Sequence, residues 1–67
     1  MENHIRVLRK NMKISQEELA TRCNVTRQTI NAIENDKYDP TLQLAFKLSV
    51  TLKTSVDEIF IYERESE

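Results

Sequence analysis

The stretch Ser15-Gln16-Glu17-Glu18-Leu19-Ala20-Thr21-Arg22-Cys23-Asn24-Val25-Thr26-Arg27-Gln28-Thr29-Ile30-Asn31-Ala32-Ile33-Glu34-Asn35 holds two short helical patterns separated by a turn. Ser15 followed by Glu18 fits a capping box, in which the serine caps forward and the glutamate reaches back, so a helix is predicted from Gln16 to about Arg22. Cys23-Asn24-Val25 interrupts it. Asn24 is the residue best able to take a left-handed turn conformation in a chain that contains no glycine. Thr26 can cap the next helix, which Asn35-Asp36 is expected to end. The apolar set is Leu19, Ala20, Cys23, Val25, Ile30 and Ile33. Ala20 is small where two helices cross closely, Leu19 and Cys23 pack inward, and Ile30 and Ile33 lock the later helix across the earlier one. The opposite face of the later helix is thereby held outward.

That outward face offers Arg27, Gln28 and Asn31, clustered at the helix N-terminus, where proteins that read the DNA major groove place their base-contacting residues. Arginine donates in a fork to guanine O6 and N7, and a glutamine or asparagine amide can exchange two hydrogen bonds with adenine. These three residues are the base-reading candidates.

Around this segment the chain reads as an all-α domain of five helices. Ile5, Leu8 and Met12 repeat at i, i+3 and i+7, which predicts a first helix from Asn3, as N-cap, to Met12. Thr41, after Asp39-Pro40, caps a fourth helix to about Leu52. Leu42, Leu44, Ala45, Phe46, Leu48, Val50 and Leu52 surround much of it, so burial on more than one side is expected, with Phe46 and Phe60 in the core. Thr54-Ser55 opens a short fifth helix over about Val56 to Phe60. The apolar run Ile59-Phe60-Ile61-Tyr62 reads either as a short strand or as a dimer seam, and Val56, Ile59, Phe60, Ile61 and Tyr62 are assigned to completing the fold and a subunit interface. Residues 1–67 form a single domain, with 63–67 a polar, acidic tail that need not be ordered.

Composition narrows the function. A chain of 67 residues buries only roughly 60% of its unfolded surface, so helix packing or a partner subunit has to supply stability. Cys23 is the sole cysteine, which excludes a disulfide framework, and no Cys/His spacing suggests a metal. Its place in the apolar set makes it a core residue. His4 reads as a surface residue with no second ligand or oriented base beside it, and Glu17 and Glu18 are explained by helix-start electrostatics. No catalytic residue, cofactor or small-molecule ligand is therefore expected. The chain has neither the apolar core of a signal peptide nor a membrane span, so a cytoplasmic protein is expected. Net charge is −1, but residues 1–35 carry six Lys/Arg against four acids, leaving the basic surface in the half that holds the reading segment. Arg6, Arg9, Lys10 and Lys13 lie along one stripe of the first helix, read either as a solvated face or, for Lys10 and Lys13, as phosphate contacts. Tyr38, in the loop after the reading helix, is a further phosphate candidate.

Taken in order, Ser15 to Ala20, Val25 to Ile30, Ile33-Glu34-Asn35 and Pro40-Thr41-Leu42 resemble the lambda-repressor and Cro-like helix-turn-helix family, over nearly the whole chain. The resemblance implies five helices and a homodimer that binds a palindromic double-stranded DNA operator and regulates transcription, by repression as the default. It places Gln16, Thr26, Asn35 and Lys37 near phosphates. It makes Arg9 the internal partner of Glu34, and it adds a small terminal β-sheet that would make Phe60 to Tyr62 a strand. Lys13 and Asp36 stand where members commonly have glycine, so a left-handed residue at either helix end costs about 1 kcal/mol. The competing class is an antitoxin or adaptor that uses the same fold mainly to bind a protein. Acidic groups on the free face would favour the adaptor, whereas Arg27 and Gln28 favour DNA.

Overall fold

The computed structural model describes residues 1–62. It has five helices: α1 (Ile5–Asn11), α2 (Gln16–Arg22), α3 (Arg27–Glu34), α4 (Leu42–Leu52) and α5 (Val56–Ile59). The apolar periodicities converge on one core, in which Ile5, Leu19, Cys23, Ile30, Ile33, Leu48 and Ile59 are fully buried. Every helix except α4 is short, so none is stable by propensity alone, and burial of these side chains, at about 1.5–3 kcal/mol for each large aliphatic, holds them in place. Among the described residues no helix is long and apolar enough to cross a membrane.

The caps fall where small oxygen-bearing residues precede each apolar run. Ser15 accepts from the Glu18 amide at 3.0 Å, Thr26 from the Thr29 amide at 3.2 Å and Thr41 from the Leu44 amide at 3.2 Å. The return half of the expected capping box is not made, because the Glu18 carboxylate turns to Arg22 one helical turn on. Helix α1 begins two residues after Asn3, with His4 at the cap position. Asn3 Oδ1 still accepts from the Ile5 amide at 3.2 Å, while its Nδ2 donates to the Ile33 carbonyl at 2.8 Å and so ties the chain start to the end of α3.

Four helices close without glycine. Lys13, Asn24, Asp36 and Lys53 all take φ near +60°. After each, the next amide reaches back five residues: Ile14 to Arg9 at 3.2 Å, Val25 to Ala20 at 3.0 Å, Lys37 to Ala32 at 2.9 Å and Thr54 to Ser49 at 3.0 Å. These closures satisfy helix carbonyls that would otherwise be orphaned, and they turn the chain sharply enough to stack five helices in a small volume. Asn24 tolerates the conformation through its short amide, whereas Lys53, at φ 57° and ψ 44°, has no such compensation. Lys53→Gly is therefore expected to raise unfolding stability by up to about 1 kcal/mol, the strain of a left-handed L-residue less the entropy cost of glycine. An unchanged or lowered thermal midpoint would show that the side chain contributes more than the strain it carries.

Two expectations are corrected. Helix α4 is not buried all round: Leu44, Ala45, Leu48 and Leu52 face the core, but Leu42, Phe46 and Val50 are 72%, 56% and 78% exposed. Phe46 is therefore not a core residue, although Phe60 is. The expected C-terminal strand reduces to a single antiparallel bridge between Asn3 and Phe60, flanked by His4 N–H to Ile59 carbonyl at 2.8 Å and Ile61 N–H to Glu2 carbonyl at 2.9 Å. Of the residues assigned to completing the fold and a subunit interface, Ile59 and Phe60 are buried in the core, Val56 is partly covered, and Ile61 and Tyr62 are exposed. The assignment of 63–67 as an acidic tail lies outside the described residues.

Candidate nucleic-acid interface

The surface built by α2 and α3 starts from the burial pattern. Ile30 and Ile33 point into the core and Ala20 lets α2 cross beneath them, which leaves Arg27, Gln28 and Asn31 exposed on the far side of α3. These three side chains line one shallow depression. Arg27 also borders the adjoining depression formed with Arg9, Ser15, Gln16, Glu17, Glu18 and Thr21, so the start of α2 and the start of α3 meet in one continuous surface. Cationic fork, two amides and helix N-terminus together match the donor and acceptor pattern of base edges.

Below this surface lies an ionic hub. The Glu34 side chain has no solvent exposure and accepts from Arg9 Nε at 2.9 Å, Arg9 Nη2 at 3.3 Å, Gln16 Nε2 at 3.1 Å and Arg6 Nε at 3.3 Å. Arg9 is itself only 8% exposed and donates its remaining Nη1 to the Ile14 carbonyl at 3.0 Å, bracing the turn between α1 and α2. Burial opposes ionisation of Glu34. Hydrogen bonds from Arg9, Gln16 and Arg6 and the charge of Arg9 outweigh it, so the carboxyl is held below the ordinary carboxylate range. Three helices are thereby pinned together by one carboxylate.

The phosphate candidates differ in exposure and engagement. Thr26, Asn35, Lys37, Tyr38, Lys10 and Lys13 are exposed, and Gln16 is half-buried. Thr26 is engaged as the α3 cap, and Asn35 Nδ2 donates to the Asn31 carbonyl at 2.9 Å. Two features escaped the sequence reading. Arg6 joins the hub and also reaches Asn35 Oδ1 at 3.4 Å, and Gln16 is held from both sides, by Glu34 and by Asn31 Nδ2 at 3.5 Å. The i, i+3 spacing of Asn31 and Glu34 on α3 was the available signal, because it puts both on the face that α2 approaches.

A fold of short helices in which the capped second helix of a tight helix pair is held outward defines a helix-turn-helix protein. The helix-turn-helix family model matches residues 5–59, and the chain belongs to that family. An uncharacterized HTH-type transcriptional regulator of Methanocaldococcus jannaschii is 46% identical over 63 residues, covering 94% of this chain and 96% of that protein. The HTH-type regulator YgzD of Bacillus subtilis is 38% identical over 66 residues, covering 98% and 100%. Among solved structures, the restriction-modification controller protein C.AhdI of Aeromonas hydrophila superposes with a TM-score of 0.79 at 28% identity, over 85% of this chain and 86% of that one. The N-terminal DNA binding domain of SinR from Bacillus subtilis superposes with a TM-score of 0.73 at 31% identity, over 79% and 78%.

Proposed function

We propose that this protein is a sequence-specific double-stranded DNA-binding regulator of transcription, acting as a homodimer on a two-fold symmetric operator, with repression as its mode. The observation that carries the reading is the exposed Arg27, Gln28 and Asn31 cluster at the start of α3, held rigidly outward by α2 and by the Glu34 hub. The regulator names of the relatives and the naming of the SinR fragment as a DNA binding domain point the same way. In this reading Arg27, Gln28 and Asn31 contact bases, and Lys10, Lys13, Gln16, Thr26, Asn35, Lys37 and Tyr38 contact phosphates. Arg9 and Glu34 hold the scaffold.

Dimerisation is supported by the apolar surface left outside the core. Leu42, Phe46 and Val50 form an exposed stripe at i, i+4 and i+8 on α4, and Ile61 and Tyr62 add further exposed apolar area. A second copy covering this stripe would add the burial that a chain of 67 residues lacks. An obligate two-fold axis would then present two α3 helices to successive turns of the major groove, about 34–36 Å apart. Selection of bound duplexes from a random pool tests the proposal directly. The expected product is an inverted repeat whose half-site centres lie about 10 base pairs, or a multiple of this, apart. Failure of any sequence to enrich would direct attention to a protein partner.

A further inference from the structure

The hydrogen bonds around Asn31 have their direction set from the buried end. Glu34, as a carboxylate, only accepts, so Gln16 must turn Nε2 toward it, at 3.1 Å. Gln16 therefore presents Oε1 on its other side, where Asn31 Nδ2 donates to it at 3.5 Å. The backbone beneath is fixed as well, since Asn35 donates to the Asn31 carbonyl at 2.9 Å and is itself held by Arg6. Asn31 thus keeps one acceptor, Oδ1, and one uncommitted N–H on an exposed side chain. That pair matches the major-groove edge of adenine, which offers a donor at N6 and an acceptor at N7. It does not match guanine, whose O6 and N7 both demand donors, because one of the two amide hydrogens is already engaged by Gln16.

We propose that the relay Glu34–Gln16–Asn31 orients the Asn31 amide to select adenine over guanine at one base pair of each half-site. Asn31 is the contacting residue, and Gln16 and Glu34 are positioning residues. The inference rests on the α3 face binding DNA.

The test uses the full chain on the operator obtained by random selection. The base pair read by Asn31 is the one whose preference disappears in Asn31→Ala. Adenine is expected there, and replacing it by guanine or by 7-deazaadenine, which lacks the N7 acceptor, should weaken wild-type binding roughly 5- to 150-fold per half-site. Gln16→Met should lower the adenine-to-guanine ratio at that pair, because the freed amide is no longer held in one orientation, while leaving preferences elsewhere unchanged. The ratio is the readout because a phosphate contact by Gln16, once removed, would weaken all duplexes equally. Guanine at that pair in the wild-type operator, tolerance of 7-deazaadenine, or an equal weakening of adenine and guanine duplexes in Gln16→Met would each overturn the relay while DNA binding stood. An Asn31→Ala variant with an unaltered base preference would do the same. Recovery of no operator would instead overturn the DNA reading and the relay with it. The wild-type arms with guanine and 7-deazaadenine remain decisive should Gln16→Met fail to fold.

Discussion

Raising salt from 50 to 200 mM is expected to weaken operator binding by roughly 10³-fold or more, although the chain carries a net charge of −1. Lys10, Lys13 and Lys37 are exposed and are the cations assigned to phosphates under the proposed function, three in each protomer and six in a dimer. Each phosphate neutralised releases counterion, so six such contacts set a slope of about −5 in log affinity against log salt. Local charge outweighs total charge here because the Debye length is about 10 Å at 0.1 M salt and shortens as salt rises, so a phosphate responds to the lysine beside it more than to the net charge of the whole chain. Titrations of a labelled operator at four or five salt concentrations give the slope. A nearly flat line would mean that phosphate contacts contribute little, and would favour an adaptor that binds protein.

The second large effect is on stability. Glu34→Ala removes the acceptor of Arg9, Arg6 and Gln16 and leaves the Arg9 guanidinium, on a residue 8% exposed, with the Ile14 carbonyl as its remaining partner. Breaking a buried pair from one side costs about 3–5 kcal/mol. Total stability for a chain of this size is of the order of 3–10 kcal/mol, so the variant should be largely unfolded near physiological temperature. A paired replacement, Arg9→Met with Glu34→Leu, should recover much of the stability, because it removes both charges together.

The same carboxylate makes folding acid-sensitive. Its carboxyl is held below the ordinary value of 4.5, so the stability it contributes is fully present above that pH and is lost as pH falls through the lower folded-state value. Urea midpoints between pH 7 and 3 should therefore decline more steeply for the wild type than for the double variant. Equal slopes would show that other carboxylates govern acid unfolding.

Much of this architecture was legible from residue types alone. The oxygen-bearing caps Ser15, Thr26 and Thr41 and the inward set Leu19, Cys23, Ile30 and Ile33 carry their instructions locally, in spacing and in the hydrogen-bonding reach of short side chains. What was not legible depends on long-range geometry. Leu42, Phe46 and Val50 are chemically indistinguishable from core residues, and only the tertiary packing of α4 decides that, among the described residues, this stripe stays exposed. Lys53 gives no sign of a left-handed conformation, because its backbone is dictated by the turn into α5 and not by its side chain. At the site, the outward trio followed from the phase of α3 against Ile30 and Ile33. The double engagement of Gln16 did not, since it requires α2 and α3 to be placed within hydrogen-bond distance of each other.

The division of labour between α3 and α1 is the centre of this account, and affinities of two variants for the operator and its single-base variants test it most directly. Gln28→Ala is expected to cost about 1–3 kcal/mol per bidentate contact and to relax preference at one base pair in each half-site. Lys10→Ala should weaken cognate and altered duplexes alike and reduce the salt slope by about one for each phosphate no longer neutralised. Should Gln28→Ala weaken every duplex equally while Lys10→Ala changes the base preference, the reading surface has been placed on the wrong helix.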